Sequence, residues 1–244
     1  MDTETLATTG TLYGISVGPG DPDLITVKAL QILQQVKVVA CPKGMGDHPG
    51  IAQAIVDKWI GPHQTLIPLI FPYVQDEAEL EMAWTTAAQT VWQHLYQGQD
   101  VGFICEGDIS FYSTFTYLAQ TLQRLYPETQ IEAIPGVCSP MATANALGLP
   151  LTMQSQRLTI LPAVYSVDEI NKALQFSDVI VLMKMSSVYD QIWSLLQQKG
   201  LLTHSHVVEW ATHPQQKIYR DLRDRPHLKL SYFSIMVVYN NRPV

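Results

Sequence analysis

The sequence predicts an α/β fold made of two α/β domains with a cleft between them, the N-terminal sheet mostly parallel and the C-terminal sheet mixed. Three observations carry this. Over the first half, short apolar runs alternate with amphipathic helical stretches, the pattern of βαβ units. Three of those runs end in loops rich in Gly, Pro, Asp and Ser, and in an alternating α/β order such ends gather on one edge of the sheet, where these folds bind ligands. In the second half the strands crowd together with short connections, as hairpins of a mixed sheet do. Leu149 to Thr152 reads as the boundary, giving domains of residues 1–149 and 150–244, and the cleft between two such domains is a natural ligand site.

Size and composition set limits. A chain of 244 residues can bury a substantial core. Its net charge of −7 argues against a broad nucleic-acid-binding surface. Cys41, Cys105 and Cys138 are odd in number and widely spaced, so neither a disulfide framework nor a zinc site is expected, in keeping with a reducing cytosol. Met1 to Thr9 is polar and carries no signal-peptide pattern. No apolar stretch approaches the roughly 18 residues of a spanning helix. The expectation is a soluble, cytoplasmic protein without a membrane partner.

The elements follow in order. Leu12 to Val17 is an apolar run suited to a buried strand, and Gly18-Pro19-Gly20 breaks it. Asp21-Pro22 reads as a helix start, with Asp as N-cap and Pro at the first helical position, and Leu24, Val27, Leu30 and Leu33 as the buried stripe. Val36 to Cys41 is a second strand, followed by a flexible loop from Lys43 to Gly50 and a helix from Ile51 to Trp59. Thr65 to Ile70 is a third strand. Gln75 to Tyr96 is a long helix with acids in its first turns and an apolar stripe of Leu80, Trp84, Ala87, Val91 and Leu95. For Trp84 and Trp92, core packing is the expected role.

Val101 to Cys105 is a fourth strand, leading into Glu106-Gly107-Asp108 and a helix from Ser113 to Tyr126. Gln130 to Ile134 is a fifth, ending in Pro135-Gly136 and a helix that runs through Ala146. Beyond the boundary come strand Arg157–Leu161, helix Val167–Leu174, strand Val179–Met185 and helix Val188–Lys199. Strands near His206–Ala211, Gln216–Asp221 and Tyr232–Tyr239 close the chain. Arg220, Arg223 and Arg225 read as a solvated surface run. His204 and His206 could point one way from a strand, but no third ligand accompanies them, so no metal is expected.

The first turn invites comparison with phosphate-binding loops and fails it. The third glycine of the dinucleotide pattern is replaced by Asp23, the second strand ends in Cys41-Pro42-Lys43 instead of a ribose-binding acid, and no Gly-Lys-Ser/Thr follows.

Four segments, VGPGDPDLITVKAL, EGDISFYSTF, IPGVCSPMATANALGLPL and VVEWATHPQQ, occur in an order and spacing that resemble the tetrapyrrole methylase family from about Thr11 to Val238. The SFYSTF form and the LMK run at Leu182 to Lys184 resemble the members that act at C20 of precorrin-2 or of its cobalt-bearing equivalent; another ring position, and a non-catalytic tetrapyrrole-binding module, are the alternatives. The resemblance implies two α/β domains, S-adenosyl-L-methionine as cofactor in the cleft with S-adenosyl-L-homocysteine as product, a tetrapyrrole substrate and a homodimer. Its cofactor contacts carry over to Pro19, to Glu106, Gly107 and Asp108, to Phe111, to Cys138 and Ser139, to Lys184 and Met185, and to Ala211. Two positions depart from the family: Ile109 stands where Pro is usual, and Cys138 where Ser or Thr is common.

Methyl transfer from a sulfonium to an electron-rich carbon asks the protein mainly for alignment in a dry site. A base could remove a proton from the methylated carbon, and Glu106, Asp108 and Asp21 are the candidate carboxylates; Asp21 equally suits an N-cap, and Asp108 a cofactor contact or a cap. The substrate's carboxylates would call for cations and polar donors, so Lys43, Arg157 and Lys184, with Tyr112 and Ser113, are candidate substrate contacts. Lys184, expected inside an apolar strand, must pair or snorkel there. Tyr112 and Ser113 also suit the start of a helix.

Overall fold

The computed structural model describes residues 9–43, 49–72, 74, 76–164 and 166–240. The polar segment through residue 8, most of the loop expected after Lys43, and Gln75 at the expected start of the long helix lie outside the described residues. The chain parts into two compact units, residues 1–138 and 139–244.

In the first unit the strands are β1 (Thr11–Ser16), β2 (Val38–Pro42), β3 (Thr65–Leu69), β4 (Val101–Cys105) and β5 (Gln130–Ile134). They form one sheet in the order β3-β2-β4-β1-β5, parallel throughout. The helices are α1 (Val27–Gln35), α2 (Ile51–Val56), α3 (Glu77–Leu95) and α4 (Phe115–Leu125). Leu12, Val101 and Phe103 pack on one side with Val91 and Leu95 of α3 and Leu118 and Leu122 of α4. Ile15, Val39 and Ile104 pack on the other with Leu33 of α1 and Ile55 of α2. A sheet buried on both faces explains why its strands read as continuous apolar runs.

Helix α3 is capped by Asp76, whose side chain accepts from the Glu79 N–H. Its two tryptophans pack across to α4, Trp84 stacked on Tyr117 at 4.6 Å and Trp92 on Tyr126 at 4.2 Å. The start of α1 differs from the sequence expectation. Asp21-Pro22 opens only a 3-10 turn, Pro22–Leu24, and the α-helix starts anew with Thr26 as its N-cap. The helical stripe shifts accordingly: Ala29 and Leu33 are buried, whereas Val27 is 73% exposed.

In the second unit the strands are β6 (Leu158–Leu161), β7 (Val179–Met183), β8 (Ser205–Glu209), β9 (Lys217–Tyr219) and β10 (Ser234–Tyr239). Their order is β6-β7-β10-β8-β9, with β6 and β7 parallel and the remaining pairs antiparallel. Helices α6 (Val167–Ala173) and α7 (Tyr189–Gln198) bury Ile170, Tyr189, Ile192 and Leu196 against Ile180, Leu182, Val207 and Met236. Helix α5 (Ser139–Leu147) packs against β8 and β10. The division of the chain therefore falls before α5, ahead of the sequence-expected boundary at Leu149.

The three arginines of the expected solvated run are exposed, and each also has a partner at the surface. Arg220 Nη1 donates to the Leu147 carbonyl at 2.6 Å, a cation on the C-terminal end of α5. Arg223 pairs with Asp221, and the Arg225 guanidinium lies 5.2 Å from the Tyr219 ring centre. His206 is held through Nδ1 by the Arg220 carbonyl at 2.5 Å, and among the described residues no three His, Cys, Asp or Glu side chains are grouped to hold a metal ion. Among those residues no helix is long and apolar enough to cross a membrane.

One close approach tests the packing of the first sheet. A Cβ built on Gly14 of β1 would meet the Phe115 ring at 2.6 Å, and Phe115 is buried. Gly14→Ala is expected to cost about 1–3 kcal/mol through overpacking. It would be read as a lower urea midpoint with an unchanged m-value. Adding Phe115→Leu should recover part of the loss.

Candidate functional site

The three Gly-rich loops follow β1, β4 and β5, and those strands are neighbours in the order β4-β1-β5. Parallel pairing puts all three loops on the carboxyl edge of the sheet, the place where open α/β sheets take ligands. β1 is the middle strand of the three, so its loop lies between the other two.

The loops are tied together by specific hydrogen bonds. Gly18 and Gly107 form an isolated antiparallel bridge, with N···O distances of 3.2 and 2.8 Å. Both adopt left-handed backbone, φ +81° and +73°, which glycine reaches without strain. Just below them the buried Ser16 Oγ donates to the Ile134 carbonyl at 2.6 Å and accepts from the Ile109 N–H at 2.8 Å. Asp108 Oδ2 accepts from the Gly136 N–H at 2.7 Å, and its Oδ1 accepts from the Ser110 N–H at 2.9 Å and from the Ser110 hydroxyl at 2.5 Å. Thr26, the cap of α1, donates from Oγ1 to the Pro135 carbonyl at 3.3 Å. Gly136 has no room for a side chain, since a Cβ there would stand 2.4 Å from the Ser16 Cβ.

These bonds set the chemistry of the titratable groups. Burial pulls the Asp108 carboxyl up, but the Gly136 and Ser110 donors outweigh it and hold Asp108 below its usual value. A carboxylate held ionised by three donors is a poor proton acceptor near neutral pH, so Asp108 is a structural tie. Asp21 Oδ1 accepts from the Asp23 N–H at 2.9 Å and caps the 3-10 turn. Burial pushes the Cys105 thiol up to about 11; the Glu106 and Asp108 charges add to this and a hydrogen bond with Ser113 opposes it. Cys105 is thus a neutral thiol, 3.0 Å from the Ser113 hydroxyl, which also accepts from the Phe115 N–H at 3.1 Å at the head of α4.

The carboxyl edge of the first sheet gathers Pro19, Glu106, Gly107, Asp108, Phe111, Tyr112 and Ser113, and Cys138 follows the β5 loop. Tyr112 is exposed, has φ +53°, and its ring meets Phe111 edge-on at 4.6 Å. Lys43, just past β2 on the same edge, is exposed, with its backbone N–H on the Leu69 carbonyl.

In the second unit Ser139 begins α5. Lys184 and Met185 follow β7, and Ala211 follows β8, at the edge where β10 begins. Lys184 is not inside the strand: β7 ends at Met183, and Lys184 is exposed with φ +51° and its Nζ 5.8 Å from the Tyr232 ring centre. It snorkels past the strand end, while Met185 is buried in the core. Arg157 precedes β6, which runs parallel to β7, so it lies at the opposite edge from Lys184. The substrate candidates of this unit are therefore not brought together.

The sequence reading passed over Ser16, Thr26 and the close approach at Gly136. A signal for Ser16 was present: it is a small polar residue at the end of an otherwise apolar strand, immediately before a glycine turn.

The first unit's residues suit a bound nucleoside-type cofactor better than a phosphate. The loops offer backbone groups and a held carboxylate, and the space where a Gly107 side chain would sit is empty to 4 Å. A family model described as Tetrapyrrole (Corrin/Porphyrin) Methylases matches residues 11–225. The chain is 36% identical to the cobalt-precorrin-2 C(20)-methyltransferase of Salmonella typhimurium, over 94% of this chain and 96% of that protein. It is 29% identical to the precorrin-2 C(20)-methyltransferase of a Sinorhizobium species, over 96% and 98% of the two chains. Among solved structures, a cobalt precorrin-4 methyltransferase superposes with a TM-score of 0.70 at 25% identity, covering 93% of this chain and 94% of the other.

The Asp108 tie generates a pH prediction. Its folded pKa is depressed, so its contribution to stability is present above the unfolded value and is lost as pH falls through the folded one. Asp108→Asn is expected to lower the thermal midpoint at pH 7, because an amide oxygen cannot replace both carboxylate oxygens. The gap to the parent should narrow as pH falls below about 4, measured by thermal melts across that range.

Proposed function

The chain belongs to the tetrapyrrole (corrin/porphyrin) methylase family, and from that premise we propose that it transfers the methyl group of S-adenosyl-L-methionine to C20 of precorrin-2 in cobalamin biosynthesis. The reading rests on the assembly of the three motif-bearing loops, after β1, β4 and β5, on adjacent carboxyl ends of one sheet. The C20 position follows from the two near-full-length relatives, both named for methylation at that carbon.

When bound, S-adenosyl-L-methionine supplies a methyl already activated on sulfonium sulfur. The residues assigned to hold it are Pro19, Glu106, Gly107, Asp108, Phe111 and Cys138 of the first unit, and Ser139, Lys184, Met185 and Ala211 of the second. Asp108 acts here by fixing the loop backbone. The tie to Gly136 and the Gly18–Gly107 bridge keep the β1, β4 and β5 loops at set spacings before ligand arrives, so little ordering cost falls on binding. Asp21 and Asp108 have carboxylate oxygens engaged by backbone N–H groups, and neither is assigned to proton removal from the methylated carbon. Cys105, half-buried and neutral, is not a nucleophile, and the reaction needs none.

Lys184, Lys43, Tyr112 and Ser113 are the groups assigned to the substrate, the lysines to its carboxylates. Arg157, at the opposite sheet edge from Lys184, is the weakest of the substrate candidates.

A second reading, the cobalt-bearing form of the same substrate, is favoured by one observation: identity is higher to the relative named for cobalt-precorrin-2 than to the one named for precorrin-2. The metal would then arrive inside the macrocycle and need no ligand from the protein.

Incubation with methyl-labelled S-adenosyl-L-methionine and precorrin-2 is expected to move label to C20 of the tetrapyrrole and to yield S-adenosyl-L-homocysteine. Binding of both compounds without transfer, or label at another ring carbon, would refute the reading. Initial rates on the metal-free and cobalt-bearing substrates decide between the two forms.

A further inference from the structure

We propose that Ser16, which lies just ahead of the first motif, is a positioning residue that sets the spacing of the β4 and β5 loops and thereby the affinity for the methyl donor; this rests on the donor reading above. Ser16 is fully buried at the end of β1, the strand between β4 and β5. Its hydroxyl uses both of its functions on different partners: the O–H goes to Ile134 at the end of β5, and a lone pair takes the N–H of Ile109 in the loop after β4. Ile109 follows Asp108 directly, and Gly136 comes two residues after Ile134. The Asp108 Oδ2 bond to the Gly136 N–H then joins the same two loops a second time.

The bonds close a circuit: Ser16 to Ile109, along the chain to Asp108, across to Gly136, back along the chain to Ile134, and across to Ser16. The contact of Gly136 with the Ser16 side chain fills its centre, since any Cβ on Gly136 would collide there. A closed circuit resists deformation more than either tie alone, because moving one loop stretches both crossings. The Ile109 N–H and Ile134 carbonyl are also buried polar groups, which lose free energy if their shared partner is removed. Ser16 bonds to the end of β5 and to the β4 loop through a single atom, so it fixes their separation and not merely their presence.

The test is calorimetric titration of S-adenosyl-L-homocysteine into the full chain and into Ser16→Ala, Asp108→Asn and the double variant. Ser16→Ala is expected to bind about tenfold more weakly. In the Asp108→Asn background, where the circuit is already open, the same substitution should cost markedly less than it does in the parent. Equal losses in both backgrounds would make Ser16 a purely structural residue and overturn the proposal, as would unchanged affinity in Ser16→Ala. Absence of binding by the parent chain would instead refute the donor reading itself. If Ser16→Ala fails to fold, amide exchange of the parent chain reads the same point. Ile109 protected before ligand is added supports the proposal, and protection arising only with ligand overturns it.

Discussion

The first unit depends on the pairing of β1 between β4 and β5. A parallel strand in that position is buried on both faces and hydrogen-bonded on both edges, so its end is among the least mobile points of the sheet. Everything the loops do follows from that anchorage. The turn at Gly18 can bridge to Gly107 because β1 and β4 keep register from Leu12–Val101 to Ser16–Cys105. The β5 loop can return over Ser16 because β1 and β5 are in register through Ile15–Ile134. The helices α1 and α4 then start from loops whose positions are already set. Thr26, capping α1, reaches the Pro135 carbonyl, and Ser113 links Cys105 at the end of β4 to the first turn of α4. The strand that the sequence marks by its glycine turn thus governs two helices and two other loops.

The acidic composition of the chain takes on a different meaning at this edge. Asp21 and Asp108 lie where a catalytic acid or base would be looked for, yet each is bonded to backbone N–H groups of its own or a neighbouring loop. At Asp108 the Gly136 and Ser110 donors favour the ionised form and take the carboxylate out of proton traffic. This suits a reaction whose methyl group is already activated, since positioning then matters more than acid–base strength. The arrangement contrasts with sites where burial raises a carboxyl toward neutrality so that it can exchange protons.

Much of this was legible in the sequence. The alternation of apolar runs and helices, the three loops and the mixed second sheet were readable because each has a local signature: period, turn residues or spacing. The four ordered segments pointed to the family. What failed was what depends on tertiary geometry. Asp21-Pro22 has the local chemistry of a helix start, but the chain there turns only once before Thr26 restarts it, and the capping residue that matters is the later one. Lys184 looked embedded in a strand because the apolar run continues to Met185; the strand stops at Met183, and a left-handed residue between them sends the lysine out and the methionine in. The assignment of α5 turned on long-range packing against β8 and β10, which no window of sequence displays. Ser16 and Gly136 form their contact across 120 positions of chain, and only the sheet order brings them together.

The carboxyl edge of the second sheet carries backbone strain. Five residues other than glycine adopt positive φ among those described: Tyr112, Gln154, Lys184, Trp210 and Thr212. Each costs roughly 1–2 kcal/mol relative to ordinary backbone. Lys184 follows β7 directly, and Trp210 and Thr212 flank Ala211 after β8. These conformations are held by specific partners: the Trp210 N–H donates to the Phe233 carbonyl at 2.8 Å, its ring lies 4.4 Å from the Phe233 ring, and the Thr212 N–H donates to Gln216 Oε1 at 2.7 Å. A fold selected for stability alone would relax these positions with glycine or asparagine. Instead it keeps large side chains in left-handed backbone and surrounds them with bonds that prevent relaxation. Three of the five, Lys184, Trp210 and Thr212, lie at one edge of the second sheet, where their neighbours hold the strained backbone in place. Tyr112 carries the same feature at the carboxyl edge of the first sheet, so in each unit the edge that bears the family's motifs also bears the strain.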